Sequence, residues 1–247
     1  MRTSGVTTEA IRIAQKSGFL TQRIWRECIC PGGLRYKQKT WANLMRRNLF
    51  QRHPSSQAQE TVIPNRKLAV VAPPFSQNID HDEAVLMILL GLEKEKVIGR
   101  WRTEAELKKI RAKDFSVEQK GLSAKYPDAV MELAVPGKPV RLALEIERNQ
   151  KSSTRYRENL YAYSSMNSID GILFICASKG IEKVIRDVAS NTFYPMAKRP
   201  LGFGLLTEWT KDPAQAAFAL NDQPTNLTAL KAKMIRRQRQ NSEEFAA

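Results

Sequence analysis

Apolar positions follow two different periods along this chain. Between residues 1 and 75 they recur at helical spacing in three short stretches. Thr7 or Thr8 is placed to cap the first, which runs through Ile11, Ile13 and Ala14 to a stop at Gly18. Thr21 is placed to cap the second, which carries Ile24, Trp25 and Cys28 until Pro31-Gly32-Gly33 breaks it. The third runs from about Leu34 to Asn48, with Trp41, Leu44 and Met45 on its inner face. Leu49-Phe50-Gln51-Arg52 and Leu68–Ala72 read as strands on either side of a polar stretch from His53 to Arg66. Pro73-Pro74 closes this unit and reads as a hinge.

Beyond the prolines, a helix is expected from Asp80 to about Leu92, then Trp101, then a helical stretch from Thr103 to Ala112 opened by a Thr103/Glu106 capping box. From Asp128 to Thr207 strands and helices alternate. Ala129–Ala134 and Val140–Glu147 form a hairpin around Val135-Pro136-Gly137-Lys138-Pro139. A helix spans Ser153–Ser165, a continuous apolar strand Gly171–Cys176, a helix Gly180–Ala189 and a last strand Leu201–Leu206. That order predicts an α/β (α+β) sheet with helices packed on it. The expected division is residues 1–75, 76–222 and a basic helical tail at 223–247.

Charge sharpens this picture. The net charge is +15, which points to a polyanionic partner. The first 75 residues carry thirteen lysines and arginines, from Arg2 to Lys67, against Glu9, Glu27 and Glu60. Three helices followed by strand, loop and strand are the layout of a winged helix-turn-helix, which sets a helix in the major groove and a wing on the backbone. Arg35, Lys37, Lys39, Arg46, Arg47 and Arg52 are the candidate DNA contacts, with Arg155 beside the chemistry described next. No apolar run reaches the roughly 18 residues of a membrane span, and no signal-peptide pattern opens the chain, so a cytoplasmic protein without membrane insertion is expected. The three cysteines, Cys28, Cys30 and Cys176, suit neither a disulfide framework nor a zinc knuckle.

The hairpin carries the candidate chemistry. Leu142, Leu144 and Ile146 alternate with Ala143, Glu145 and Glu147, so both glutamates project from the face opposite the leucines. Like charges so placed repel unless a cation lies between them. Asp128 precedes the first strand of the hairpin and comes to the same edge, and Lys151 follows Glu147 by four residues. Such a set suits phosphodiester cleavage. Mg²⁺ or Mn²⁺ would be held by Asp128 and Glu145, with Glu147 as ligand or base and Lys151 as the cationic partner.

Pro127-Asp128, Glu145-Ile146-Glu147 and Lys151 resemble the PD-(D/E)xK motif of restriction-endonuclease-like enzymes. The usual lysine position is held by Glu147, and the lysine is displaced to Lys151. A narrower resemblance spans roughly Thr7 to Leu206. A basic winged helix, Trp101-Arg102-Thr103-Glu104, the acidic motif, then Arg155-Tyr156, Tyr161 and Tyr163 are similar to the replication-relaxation family, which includes plasmid mobilisation relaxases of the MobC class. The resemblance implies a restriction-endonuclease-like mixed sheet flanked by helices. It also implies metal-dependent nicking of one DNA strand at a plasmid transfer origin, with a coupling protein and accessory mobilisation proteins as partners. Glu104 matches a position where such nucleases place an extra acid.

Lys151, Arg155, Asn159 and Tyr163 align on one helix face that can follow a DNA backbone. A tyrosine nucleophile is disfavoured, because His53 and His81 are too few and too far apart in sequence to supply the metal cluster it needs. His81 reads as a helix-start residue. No P-loop, GxGxxG, GxSxG or HExxH motif is present. A catalytically inactive DNA-binding regulator or replication accessory, and a restriction-like double-strand endonuclease, are the rival readings.

Overall fold

In a computed structural model the described residues are 5–53, 61–74, 76–111, 115, 125–137, 139–191, 199–220 and 223–244. Helix α1 (Gly5–Ser17) leads into the short strand β1 (Leu20–Thr21). The Thr21 hydroxyl accepts the Ile24 N–H and caps α2 (Gln22–Ile24), as its position predicts. Helix α2 widens into a π-turn over Trp25–Ile29 before α3 (Leu34–Arg46). The expected cap at Thr7 or Thr8 is not one, because both lie inside α1.

Strand β2 (Phe50–Arg52) follows, but its partner β3 is Thr61–Pro64, inside the stretch read as a polar loop. Leu68–Ala72 is not a strand. The Asn65 side chain accepts the backbone N–H groups of Lys67 and Leu68, and the Asn65 carbonyl takes those of Leu68 and Ala69. This local turn consumes the donors a ladder would need. The three strands form an antiparallel sheet in the order β1-β3-β2.

Helix α4 (Ile79–Lys94) opens the larger part of the chain. Trp101 lies in a strand the hydropathy pattern did not announce, β4 (Ile98–Thr103), followed by α5 (Glu104–Lys109) with the expected Thr103/Glu106 capping box. The hairpin forms as predicted from β5 (Ala129–Leu133) and β6 (Val140–Glu147), with Ala129 opposite Leu144 and Leu133 opposite Val140. Next come α6 (Ser153–Ser164), β7 (Gly171–Cys176), α7 (Lys179–Asn191), β8 (Leu201–Leu205) and α8 (Leu206–Trp209). The chain then adds β9 (Phe218–Leu220), β10 (Gln223–Thr225) and α9 (Leu227–Glu244). Gln223–Thr225, assigned to the basic tail by the sequence pattern, is the edge strand of the large sheet. Ala112 and Lys138, named in the expected helix and turn, lie outside the described residues.

The large sheet has seven strands in the order β10-β9-β8-β7-β6-β5-β4. It is mixed: β6, β7 and β8 run parallel, and the remaining neighbours are antiparallel. One face buries Met131, Leu144, Ile146, Leu173 and Ile175 against α4. The same cluster runs on without a break into Ala10, Ile13, Phe19, Leu20 and Trp25 of the N-terminal unit. Pro73-Pro74 therefore does not separate two independent cores as a hinge would. The other face buries Val130, Ala143, Ile172 and Phe174 under Tyr156, Leu160, Ile181 and Ile185 of α6 and α7. Among the described residues no helix is long and apolar enough to cross a membrane.

Candidate active site

Strand parity sets Asp128, Glu145 and Glu147 on one face of the sheet, the face shared with Val130 and Ala143. The pairing that sets Ala129 opposite Leu144 brings Asp128 beside Glu145, and the Asp128 N–H lies 3.3 Å from Glu145 Oε1. Both glutamates are buried to 1% exposure, far deeper than acids at a strand end ordinarily sit.

Each of the three acids has its own cation. Asp128 Oδ2 lies 3.2 Å from His81 Nε2 and accepts the Ile146 N–H at 2.8 Å. Glu145 Oε2 lies 3.3 Å from Lys125 Nζ, and its Oε1 accepts the hydroxyl of the fully buried Tyr163. Glu147 Oε1 takes Lys151 Nζ at 2.8 Å. Lys151 lies just before the Ser152 cap of α6, partly exposed, and its own N–H bonds the Tyr156 hydroxyl at 3.1 Å.

The proton affinities follow. Burial pushes the Glu145 carboxyl up to about 7, against Lys125, while the charge of Asp128 adds to the rise. Burial likewise raises Glu147, opposed by Lys151. Burial alone would raise Asp128, but His81, Lys125 and the Ile146 N–H outweigh it and hold the carboxyl below its ordinary range. Burial lowers His81, yet the hydrogen bond and charge of Asp128 carry it to about 9, so an imidazolium is paired here at neutral pH. Asp82, one residue on, is raised to about 6 by burial and by Asp128 and Glu104.

Sequence reasoning missed three residues of this constellation. His81 is on the first turn of α4 but points at Asp128. Lys125, three residues before Asp128, supplies the ammonium nearest Glu145; the only signal was its closeness to Pro127-Asp128. Tyr163 does not lie along an open DNA-facing surface. Asn159 and Tyr163 are buried, so the proposed helix face is closed at that end, and Arg155 stands exposed near Glu158 at 3.8 Å. Glu104 sits next to the site, with its N–H on the Asp128 carbonyl at 2.9 Å and its carboxylate on Lys108 at 2.8 Å.

A cleft of about 520 Å³ adjoins Asp128. Its walls are Phe19 and Val70–Pro74 of the N-terminal unit, Asp82 and Val85 of α4, and Glu104 and Lys108 of α5. Among the described residues, no three or more histidines, cysteines, aspartates and glutamates are grouped to hold a metal ion. Magnesium needs only one or two carboxylates beside water and phosphate. Asp128 Oδ1 and Glu147 Oε2 carry no partner among the described residues, so hard oxygen donors are open on two of the three acids.

On the N-terminal unit, Arg35, Lys39 and Arg47 are exposed and without side-chain partners among the described residues. Arg46 and Arg52 are also exposed, Arg46 resting on the Asn43 side chain. Lys37 differs: its ammonium donates to the Arg26 carbonyl at 2.5 Å, tying α3 to the π-turn. Comparison with models of known protein families, with curated proteins and with solved structures finds no match.

Proposed function

We propose that this chain is a metal-dependent DNA endonuclease that nicks one strand. The observation that carries the reading is the cross-strand pair Asp128–Glu145, held in a buried cluster with Lys125 and bordered by a cleft that the basic N-terminal unit helps to wall. The order α1-β1-α2-α3-β2-β3, with β3 between β1 and β2, supports a winged helix-turn-helix whose α3 enters the major groove. The succession α4-β4-α5-β5-β6-α6-β7, antiparallel through β6 and parallel from β6 to β7, supports a restriction-endonuclease-like core. The setting in plasmid transfer, with a transfer origin as substrate and coupling and accessory proteins as partners, rests on the sequence resemblance alone.

Mg²⁺ or Mn²⁺ would be held by Asp128 and Glu147 through the oxygens they leave open, with Glu145, whose two oxygens are engaged by Lys125 and Tyr163, adjacent, and when bound supplies polarisation of phosphate oxygen and a more acidic water. The chain's own residues do the rest. His81 and the Ile146 N–H fix Asp128 through one oxygen and leave the other open. Tyr163 and the Asp128 N–H fix Glu145. Lys125 and Lys151 are ammonium groups able to balance charge on a phosphate group that is being cleaved. Burial raises the affinity of Glu147 for protons, against the ion pair with Lys151, which suits it to hold one as a base as well as to bind.

The rival class has one observation of its own. Three acids matched by three cations form a cluster that is electrostatically satisfied with protein groups alone, as in a DNA-binding regulator that does not cut. Supercoiled plasmid incubated with Mg²⁺ or Mn²⁺ separates the readings. Open circles that disappear in Asp128→Ala, with DNA binding retained, are the expected result. Linear product identifies a double-strand endonuclease. Binding without cleavage in either metal overturns the enzymatic reading.

A further inference from the structure

The edge strand β4 presents two arginines, Arg100 and Arg102, that none of the chemistry above uses. Both are exposed, and neither makes a side-chain hydrogen bond or close ion pair among the described residues, though Glu106 lies near enough for the charge of Arg102 to act on it. The neighbouring cations are all engaged. Arg12 is held by Glu9 and Glu93, Lys16 donates to the Trp101 carbonyl, and Arg141 is bound to Glu132 at 2.9 Å. A cleft of about 510 Å³ runs past Arg100, Arg102, Val130, Glu132 and Arg141.

Register relates these arginines to the acids. Arg100 lies opposite Glu132, and Arg102 opposite Val130. Val130 has the same parity as Asp128, so Arg100 and Arg102 stand on the face that carries the carboxylates. One step further along the same line, the Glu104 N–H meets the Asp128 carbonyl. Two residues of a strand span about 6.6 Å. Arg102 and Arg100 are therefore one such step apart, comparable to the distance between successive phosphates of an extended nucleic-acid strand, and Asp128 lies one step beyond Arg102 along the sheet and one strand across.

We propose that Arg102 and Arg100 form a phosphate track that holds the DNA strand being cut, on one side of the cleaved bond. The inference rests on the nuclease reading and deepens it: the strand leaves the acids across the edge of the sheet. Arginine suits the task because its planar guanidinium binds phosphate oxygens in pairs. An edge strand also gains protection against strand addition from exposed charge, and that explanation predicts no effect on DNA.

The test uses the full chain and fluorescein-labelled duplex in EDTA, with binding followed by anisotropy across a salt series. Each lost phosphate contact lowers the slope of log K against log salt by about one. Arg100→Ala with Arg102→Ala is expected to lower the slope by about two and to slow plasmid nicking. Arg100→Lys with Arg102→Lys should restore the slope, since the charge is kept. An unchanged slope in an alanine variant with native circular dichroism overturns the track, as does weaker binding at an unchanged slope. A native chain that binds no duplex at any salt overturns the underlying DNA reading instead.

Discussion

Burial opposes the charge of Glu145, and that opposition should be measurable as stability. Its carboxyl titrates at about 7 in the folded chain, against 4.5 when unperturbed. The folded state therefore binds the extra proton between these values, and stability from this group is present below pH 4.5 and lost as pH rises through 7. Integrated from pH 5 to pH 8, that loss is roughly 2–3 kcal/mol. Glu145→Gln keeps the shape and the acceptor for Tyr163 but removes the titration. Urea unfolding in EDTA at both pH values, on native protein and variant, isolates the group. The native chain should lose about 2–3 kcal/mol more than the variant over this interval. His81, raised to about 9 partly by Glu145, acts in the same direction: its stabilising proton is lost as pH climbs, and the variant feels this less. Equal losses in the two proteins would refute the argument that Glu145 is held charged at a cost.

Other outcomes are specific. Tyr163→Phe removes a charge-assisted hydrogen bond between buried groups and should cost about 1.5–3 kcal/mol by denaturant unfolding, with Glu145 titrating higher still. Lys37→Ala should lower stability with little change in DNA affinity, whereas Arg35→Ala with Lys39→Ala should weaken binding and flatten its salt dependence at unchanged melting temperature. Gly18→Ala should destabilise, because Gly18 has φ +83° and a Cβ there would run into the Ala72 carbonyl; a melting temperature equal to native would contradict that packing.

The sequence pattern was informative wherever a period or a cap was strong. Thr21, Gly18, Thr103/Glu106 and the Leu142-Leu144-Ile146 alternation each announced the local structure found. Strand β4 was missed because Gly99 interrupts a pattern that otherwise alternates Arg100 and Arg102 outward with Trp101 and Thr103 inward. β3 was missed because Thr61–Pro64 ends in a residue that breaks most ladders, and Leu68–Ala72 was the more apolar competitor. Its backbone donors had already been captured at Asn65. Parity and spacing placed Asp128, Glu145, Glu147 and Lys151 at one end of the sheet. Lys125 and His81 could not be read, because their contacts cross 20 residues and 47 residues of sequence, and neither belongs to a periodic pattern.

The N-terminal end of α4 connects the two halves of the molecule. His81 reaches Asp128, Asp82 lines the cleft, and Glu83, only 3% exposed, accepts the Thr21 hydroxyl at 2.5 Å and lies 3.6 Å from Arg23. Thr21 is at once the cap of α2 and the donor to Glu83. A shift of α2, the helix preceding α3, therefore cannot occur without disturbing a buried carboxylate two residues from the partner of Asp128. The continuous core beneath makes this link stiff, since Ile13, Leu20 and Trp25 pack into the same cluster as Leu86, Ile88 and Ile146. Geometry at the acids is thus tied to the seating of the basic helices through one turn of α4, with rigid packing behind it rather than a flexible joint at Pro73-Pro74.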